Sequence, residues 1–231
     1  MYPYHIDSLI QMSQISLHNG DHQMAFELIE RALYAFERGF HPLFHLTSGT
    51  VRLEYARFEN RAFHLAVFQY IQNLGRRGCW RTAFELTKLL LSLDSADPLS
   101  ALLTLDFYAL KCREFDWFLR AYDEKKTSLG LDLLPCFRFG VALATWMKEE
   151  EFERIKKRKT GSNSSLTPEL EESVSDDPHE KSSLLLVDAI LWFPNTVSAM
   201  LEKCGISDSA VVNNIFFSYL GSGTYALLST S

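Results

Sequence analysis

The sequence has few cysteines, and none in the spacing that binds zinc. Its four cysteines, Cys79, Cys112, Cys136 and Cys204, are scattered singly along 231 residues. Structural zinc sites and small disulfide-stabilised domains both require cysteines in close pairs or dense sets. The sequence therefore predicts neither a zinc fold nor a disulfide scaffold, and scattered thiols of this kind are typical of a reducing compartment.

A long apolar run and an excess of positive charge are also missing. No stretch of about 18 apolar residues occurs, so the sequence predicts no transmembrane helix. Met1–His5 lacks the charged and then apolar pattern of a secretory signal. With 23 basic and 29 acidic side chains the net charge is −6, which gives no electrostatic preference for nucleic acid or membrane. We therefore expect a cytoplasmic or alternatively nuclear protein, with no membrane association and no direct sequence-specific contact with nucleic acid.

Motifs for catalysis and for cofactor binding are absent too. No P-loop, zinc-protease or nucleophile-elbow pattern occurs. The stretch 221–226 formally fits the GxGxxA pattern of dinucleotide sites, but only five residues follow it, too few for the helix that such a site needs. His18 and His22 have the spacing of two metal ligands on a helix, but Gly20 interrupts the pair. We therefore predict no enzyme activity, no metal and no cofactor.

The sequence does contain an internal repeat. Residues 20–28 and 78–86 share a glycine, four variable residues and then Ala-Phe-Glu-Leu. Apolar residues recur at helical spacing on both sides of each glycine, and a glycine ends a helix without the steric penalty of a Cβ atom. The sequence therefore predicts two helical hairpins, with their turns at Gly20 and Gly78.

The distance between the copies, together with two weaker copies, predicts the fold class. Gly78 follows Gly20 by 58 positions, which corresponds to a tetratricopeptide-like period of about 34 residues plus an insertion, near 39–62. A third, degenerate unit is predicted with helices around 102–109 and 115–122. A fourth is predicted in two pieces, 137–147 and 185–193. The prediction is an all-α, tetratricopeptide-like array of helical hairpins, an α-solenoid.

Residues 148–181 separate the two pieces of the fourth hairpin by a strongly charged segment. Of these 34 residues 17 are charged, and Gly161–Ser165 in the middle are small and polar. Such a segment has too little apolar surface to order itself, so we predict a disordered insertion. The predicted organisation is helical repeats over 1–147, including the first helix of the fourth hairpin, the disordered insertion over 148–181, terminal helices over 182–205 and an atypical tail over 206–231.

The insertion at 39–62 combines long polar side chains with aromatic ones. Arginine and tyrosine dominate binding hot spots, so the candidate partner-binding residues are Arg52, Tyr55, Arg57, Asn60 and Arg61. The alternative is that these side chains form an intramolecular ion-pair network that fastens the insertion to the first two hairpins. The residue types favour that alternative, but the insertion is still the best candidate for a partner site.

Several stretches resemble one protein family. They are 3–9, 30–37, 40–44, 77–83, 88–94, 97–99 and 106–110, and the most characteristic is Glu-Arg-Ala-Leu-Tyr-Ala-Phe-Glu at 30–37. Over about 3–205 the chain is similar to the transcription factor 25 family, whose fungal relatives are the first subunit of the ribosome quality control complex. That family carries a long basic N-terminal region and extends well beyond residue 205, whereas 211–231 does not resemble it. We therefore expect a truncated member.

The resemblance implies a non-catalytic scaffold. It implies binding to stalled large ribosomal subunits and to a Listerin-type ubiquitin ligase, where the family aids ubiquitination of incomplete nascent chains. A segregase ATPase that extracts those chains is implied as an indirect partner. Family members are also described as nuclear transcriptional repressors, which implies the alternative of a co-regulator that acts through protein–protein contacts. Under that alternative, the basic run Lys156–Lys159 would serve nuclear import.

Overall fold

Helices make up all the regular structure in the described part of the chain. The computed structural model describes residues 4–160 and 179–205. Nine α-helices lie there: α1 (Ile6–His18), α2 (His22–Gly39), α3 (Phe58–Arg76), α4 (Trp80–Leu93), α5 (Leu105–Cys112), α6 (Phe115–Lys125), α7 (Pro135–Thr160), α8 (Glu180–Trp192) and α9 (Pro194–Lys203). Short 3-10 turns occur at Leu46–Ser48, Ala101–Thr104 and Leu131–Leu133. The predicted all-α class is confirmed.

The chain divides into two units, 1–114 and 115–231. In the first unit each helix packs on the next one along the chain, from α1 to α5. In the second unit α6, α7, α8 and α9 pack in the same sequential way. Packing between neighbours in sequence is the arrangement of a helical-hairpin repeat.

One type of backbone turn recurs in the first unit. Gly20 and Gly78 have φ angles of +79° and +77°, in the left-handed region that favours glycine. In both turns the N–H of the residue after the glycine donates to the carbonyl five residues before it, at 2.9 Å. Arg113, 35 residues after Gly78, has φ +62°, and the Glu114 N–H donates to the Ala109 carbonyl at 3.0 Å. The degenerate third copy therefore has the same turn, with arginine in the glycine position.

The core of the first hairpin is built around small residues. Ala25, Ile29 and Ala32 of α2 are fully buried, and the Ser13 hydroxyl of α1 donates to the Ala25 carbonyl at 2.9 Å. Alanine at these positions lets two helices approach closely enough for a side chain of one to bind the backbone of the other. The predicted faces of α1 and α2 therefore pack together, and Ala66 of α3 extends the same cluster.

An arginine ties α7 to α8 in the second unit. The Arg138 side chain is 13% exposed, donates to the Asp132 carbonyl at 2.6 Å and forms an ion pair with Asp188. Its guanidinium carbon lies 4.3 Å from the ring centroid of Trp192. Ala189 of α8 is fully buried. The two predicted pieces of the fourth hairpin therefore do pack on each other.

Two predicted boundaries require correction. The charged segment was predicted to be disordered from residue 148, but α7 continues to Thr160, because adding a turn to an existing helix is much easier than starting one. An ion pair one turn apart supports this extension, with the Arg154 Nε lying 3.5 Å from the Glu150 Oε2. The insertion predicted at 39–62 is a loop only over 40–57, since α3 begins at Phe58. Residues 161–178 and the tail 206–231 lie outside the described residues.

Candidate partner-binding surface

Residues 53–57, named the strap, close the C-terminal end of α4. The Leu53 N–H donates to the Leu93 carbonyl at 2.9 Å, and the Tyr55 N–H donates to the Asp94 carboxylate at 2.9 Å. Leu93 is the last residue of α4, where a carbonyl has no partner within its own helix. The strap therefore supplies the hydrogen bond that the end of α4 lacks.

Side chains from the start of α3 hold the backbone of the strap. The Asn60 Nδ2 donates to the Glu54 carbonyl at 2.9 Å. The Arg61 guanidinium donates to the carbonyls of Tyr55 and Ala56, at 3.2 and 3.3 Å. Three successive carbonyls of the strap are thus bound, so Asn60 and Arg61 act on the chain's own backbone.

A buried histidine completes the attachment. The fully buried His64 donates from Nε2 to the Leu53 carbonyl at 2.8 Å, and the Tyr55 ring packs edge-on against it with centroids 5.6 Å apart. The Arg61 guanidinium carbon lies 5.6 Å from the same Tyr55 ring. Within the residues that the structure describes, the His64 Nδ1 has no hydrogen-bond partner. Tyr55 is therefore held on both its backbone and its ring.

Aromatic packing fastens the beginning of the insertion. The Phe40 ring lies 6.3 Å from Phe36 of α2 and 5.2 Å from Phe63 of α3, measured between centroids. Phe44 packs on Phe40 at 4.6 Å. The insertion is thus attached to both of the first two hairpins, as the alternative interpretation predicted. The attachment consists of aromatic packing and hydrogen bonds to carbonyls, and not mainly of ion pairs as that interpretation expected.

The exposed side chains of Arg52 and Arg57 differ from those of Asn60 and Arg61 because they bind none of the strap carbonyls that Asn60 and Arg61 hold. Among the described residues, Arg52 donates to two carbonyls of its own loop, Gly49 at 3.0 Å and Val51 at 2.9 Å. Arg57 is paired with Glu54 at 3.4 Å, with side chains 73% and 67% exposed, and such a pair contributes little to stability. Both guanidinium groups can therefore meet a partner without releasing the strap.

Phe58 is a candidate that the sequence analysis missed. It is the first residue of α3, directly after Arg57, and its ring is 75% exposed. Helical spacing places it in line with Ala62, Ala66 and Tyr70, so periodicity predicts burial. An exposed aromatic side chain beside an arginine is the composition of a binding hot spot. The exposed surface defined by Arg52, Arg57 and Phe58 is here named the insertion surface.

The electrostatics of the strap centre on Asp94. The N–H groups of Tyr55 and Ala96 donate to its carboxylate and hold its pKa below the ordinary value, and burial only partly opposes this. Asp94 was not singled out in the sequence either, although its place directly after the apolar face of α4 marks it as a residue at a helix end. Its role is structural, because both hydrogen bonds shape the chain's own backbone.

Two further properties concern the described residues, 4–160 and 179–205. No group of three or more histidine, cysteine, aspartate or glutamate side chains comes together there as a metal site would require. No single helix in these ranges has the length and apolar character of a membrane span, although α8 and α9 taken together would, across a bend of 107°.

Comparison with known proteins identifies a family. The family described as "Transcriptional repressor TCF25" matches residues 1–229. The expectation that 211–231 does not resemble the family was therefore wrong for all but the last two residues. A human protein named "Ribosome quality control complex subunit TCF25" is 40% identical over 217 residues, 93% of this chain and 30% of its own length. The "Ribosome quality control complex subunit 1" of fission yeast, Schizosaccharomyces pombe, is 41% identical over 143 residues, 62% of this chain and 22% of its own.

A third relative has a different name. The "Probable transcription factor claV" of Ampulloclitocybe clavipes is 35% identical over 217 residues, 89% of this chain and 25% of its own length. These names describe complex subunits and a transcription factor rather than enzymes. By these coverages, the chain spans less than a third of the length of each of the three relatives. No solved structure matches the chain.

Proposed function

The chain belongs to the Tcf25 family, and from this membership we propose that it acts as a non-catalytic scaffold of the ribosome quality control complex. In this role it aids the ubiquitination and extraction of nascent chains on stalled large ribosomal subunits. The observation that carries the proposal is the similarity, over most of the chain, to a human subunit of that complex.

We expect two direct partners in the cytoplasm, the large ribosomal subunit and a Listerin-type ubiquitin ligase. The segregase ATPase is an indirect partner in this proposal. Two features support a role in binding. Hairpin arrays present extended surfaces to other macromolecules, and the polar groups of the strap are used to hold its shape rather than to perform chemistry.

The insertion surface is the site that we assign to the ligase. Arg52, Arg57 and Phe58 offer two guanidinium groups and one aromatic ring at or next to the strap, whose backbone Asn60 and Arg61 hold. A fixed backbone lowers the entropy lost on binding, so contacts made there contribute more of their interaction energy to affinity. Tyr55, Asn60 and Arg61 take part by maintaining this shape.

A pulldown with the purified ligase tests this assignment. The variant Arg52→Gln/Arg57→Gln/Phe58→Ala removes the exposed groups and leaves every side-chain bond from α3 to the strap in place. We expect it to bind the ligase at least about 10-fold more weakly, which corresponds to roughly 1.4 kcal/mol. The matched control Arg31→Gln/Arg38→Gln removes two exposed arginines of α2 and should bind normally. Equal binding by both variants would remove the insertion surface from the account.

The alternative function is that of a nuclear transcriptional repressor or co-regulator acting through protein–protein contacts. It is favoured by the family description and by the relative named as a transcription factor. Replacing the basic run 156–159 with glutamine and imaging the tagged protein separates the two proposals. A cytoplasmic signal in both forms supports the quality-control scaffold. A nuclear signal that depends on the run supports the co-regulator.

A further inference from the structure

Three cations lie along the turns at one end of the hairpins in the first unit. Arg76 is the last residue of α3, Arg77 begins the α3–α4 turn and Lys111 is in the last turn of α5, and all three are exposed. Within the described part of the chain, none of their charged nitrogens has a carboxylate oxygen within 4 Å, the distance of an ion pair. Neighbouring Arg81 differs, because the carboxylates of Glu85 and Glu114 both pair with it.

Neutral groups hold these three cations in place. The Arg77 guanidinium carbon lies 4.2 Å from the centroid of the Phe26 ring, and Arg76 donates to the Asn73 side-chain oxygen at 3.0 Å. The Lys111 Nζ lies 5.8 Å from the centroid of Trp80. Aromatic faces and amides orient a cation without cancelling its charge. Each cation is therefore partly ordered and still able to bind an anion.

An exposed aromatic ring adjoins Lys111. The Phe107 ring is 46% exposed, packs edge-on against Trp80 at 5.5 Å and lies 5.7 Å from the Lys111 Nζ. Arg76, Arg77, Lys111 and Phe107 are here named the turn edge. The combination of unpaired cations with an aromatic face is that of surfaces that bind single-stranded nucleic acid, where phosphates contact the cations and bases stack on the rings.

We propose that the turn edge binds single-stranded RNA through its phosphate backbone, with one base stacked on Phe107. An acidic protein segment would use the cations equally well but would leave the aromatic face without a matching group, so the geometry favours a single-stranded nucleic acid over a peptide. The net charge of −6 does not oppose this binding, because residues 1–114 carry 11 basic and 12 acidic side chains. This contact is independent of base sequence, so it is compatible with the expectation of no sequence-specific recognition. It does not rest on the proposed function.

Counterion release sets the size of the effect. Three phosphate contacts on a single strand give a slope of about −2 for the logarithm of affinity against the logarithm of salt concentration. Between about 50 and about 200 mM salt, the affinity should therefore fall roughly 20-fold. A stacked base contributes a factor that does not depend on salt, about 5-fold or more.

The test is fluorescence anisotropy of the intact 231-residue chain with a fluorescein-labelled uridine oligonucleotide of about 20 nucleotides. Arg76→Gln/Arg77→Gln/Lys111→Gln is expected to lower the affinity at low salt and to flatten the salt dependence. Phe107→Leu keeps an apolar side chain but removes the flat ring, so it should weaken binding by a similar factor at both salt concentrations. Circular dichroism of each variant confirms that the helices are retained.

The control is Arg31→Gln/Arg38→Gln/Lys125→Gln, which removes the same charge from exposed positions elsewhere. Four results would overturn the proposal. The first is no RNA binding by the unchanged chain, and the second is unchanged affinity and salt slope in Arg76→Gln/Arg77→Gln/Lys111→Gln. The third is an equal loss of affinity in the control, and the fourth is normal binding by Phe107→Leu together with displacement of the RNA by polyglutamate. The last result would assign the turn edge to an acidic protein segment. No ligase or ribosome is present, so failure here leaves the scaffold proposal unaffected.

Discussion

The two hairpin glycines provide a direct test of the repeat, because alanine at either position changes only the backbone preference. A Cβ atom added to Gly20 or Gly78 would meet no atom within 4 Å, yet the φ angles are +79° and +77°. An L residue in this region costs about 1–2 kcal/mol, and the entropy that alanine removes from the unfolded chain offsets about 0.4–1 kcal/mol of that. We expect Gly20→Ala and Gly78→Ala each to lower the free energy of unfolding by about 1 kcal/mol.

Two other positions provide controls of opposite sign. Gly39 is the last residue of α2, has no positive φ, and a Cβ there also meets no atom within 4 Å. Gly39→Ala should therefore be neutral or raise the free energy of unfolding by up to about 1 kcal/mol. At Arg113, with φ +62°, the comparison of Arg113→Gly with Arg113→Ala isolates the backbone from the lost side chain. The glycine variant should be more stable than the alanine variant by about 1 kcal/mol.

Urea unfolding followed by circular dichroism and by tryptophan fluorescence measures these differences. Coincident transitions by the two probes are needed before one free energy is assigned to the chain, since it contains two units. The reasoning is refuted if Gly20→Ala and Gly78→Ala are as stable as Gly39→Ala. It is also refuted if Arg113→Ala equals Arg113→Gly, because the recurring turn would then need no left-handed residue.

Two further predictions concern single side chains. Asp94→Asn should destabilise the chain by roughly 1 kcal/mol or more at neutral pH, because the two carboxylate oxygens accept one N–H each, from Tyr55 and Ala96, and an amide has a single acceptor oxygen and no charge. The pKa of Asp94 is lower in the folded chain than in the unfolded chain. The carboxylate therefore contributes its full stabilisation above about pH 5, and this contribution is lost as the pH falls through the folded pKa. The urea midpoints of the unchanged chain and of Asp94→Asn should thus converge only in acid. Arg138→Met removes a 13% exposed guanidinium that binds Asp132, Asp188 and Trp192, and we expect a loss of about 2–3 kcal/mol. Hydrogen exchange in α8 measures that loss, Arg138→Lys should restore only part of it, and unchanged protection in the methionine variant would contradict the role of this residue.

The hairpins were predictable because their signals are local in sequence. Gly20 and Gly78 are each followed by an alanine five positions later, and this pattern predicted turns that the structure shows at both glycines. The third turn was harder to locate, because its left-handed position is occupied by Arg113 and an arginine does not predict a positive φ angle. The extent of α7 was underestimated since charge content alone does not distinguish a disordered segment from an extension of a helix that has already formed.

The partners of the candidate residues were not predictable in the same way. Arg61 and Asn60 were recognised as unusual by their residue types, but their acceptors are backbone carbonyls of the strap. Side-chain patterns carry no information about carbonyls several residues away. The exposure of Phe58 depends on where α3 begins, and the ends of helices are the least predictable feature of a sequence.

Sedimentation in a sucrose gradient tests the central claim, that this chain is a scaffold of ribosome quality control. The tagged chain would be expressed in cells with stalled translation, with a full-length relative as the control, and the fractions probed for the ubiquitin ligase. The account predicts that the chain migrates with free large ribosomal subunits in the fractions that contain the ligase. Absence of the chain from those fractions, while the full-length control is present in them, would contradict it.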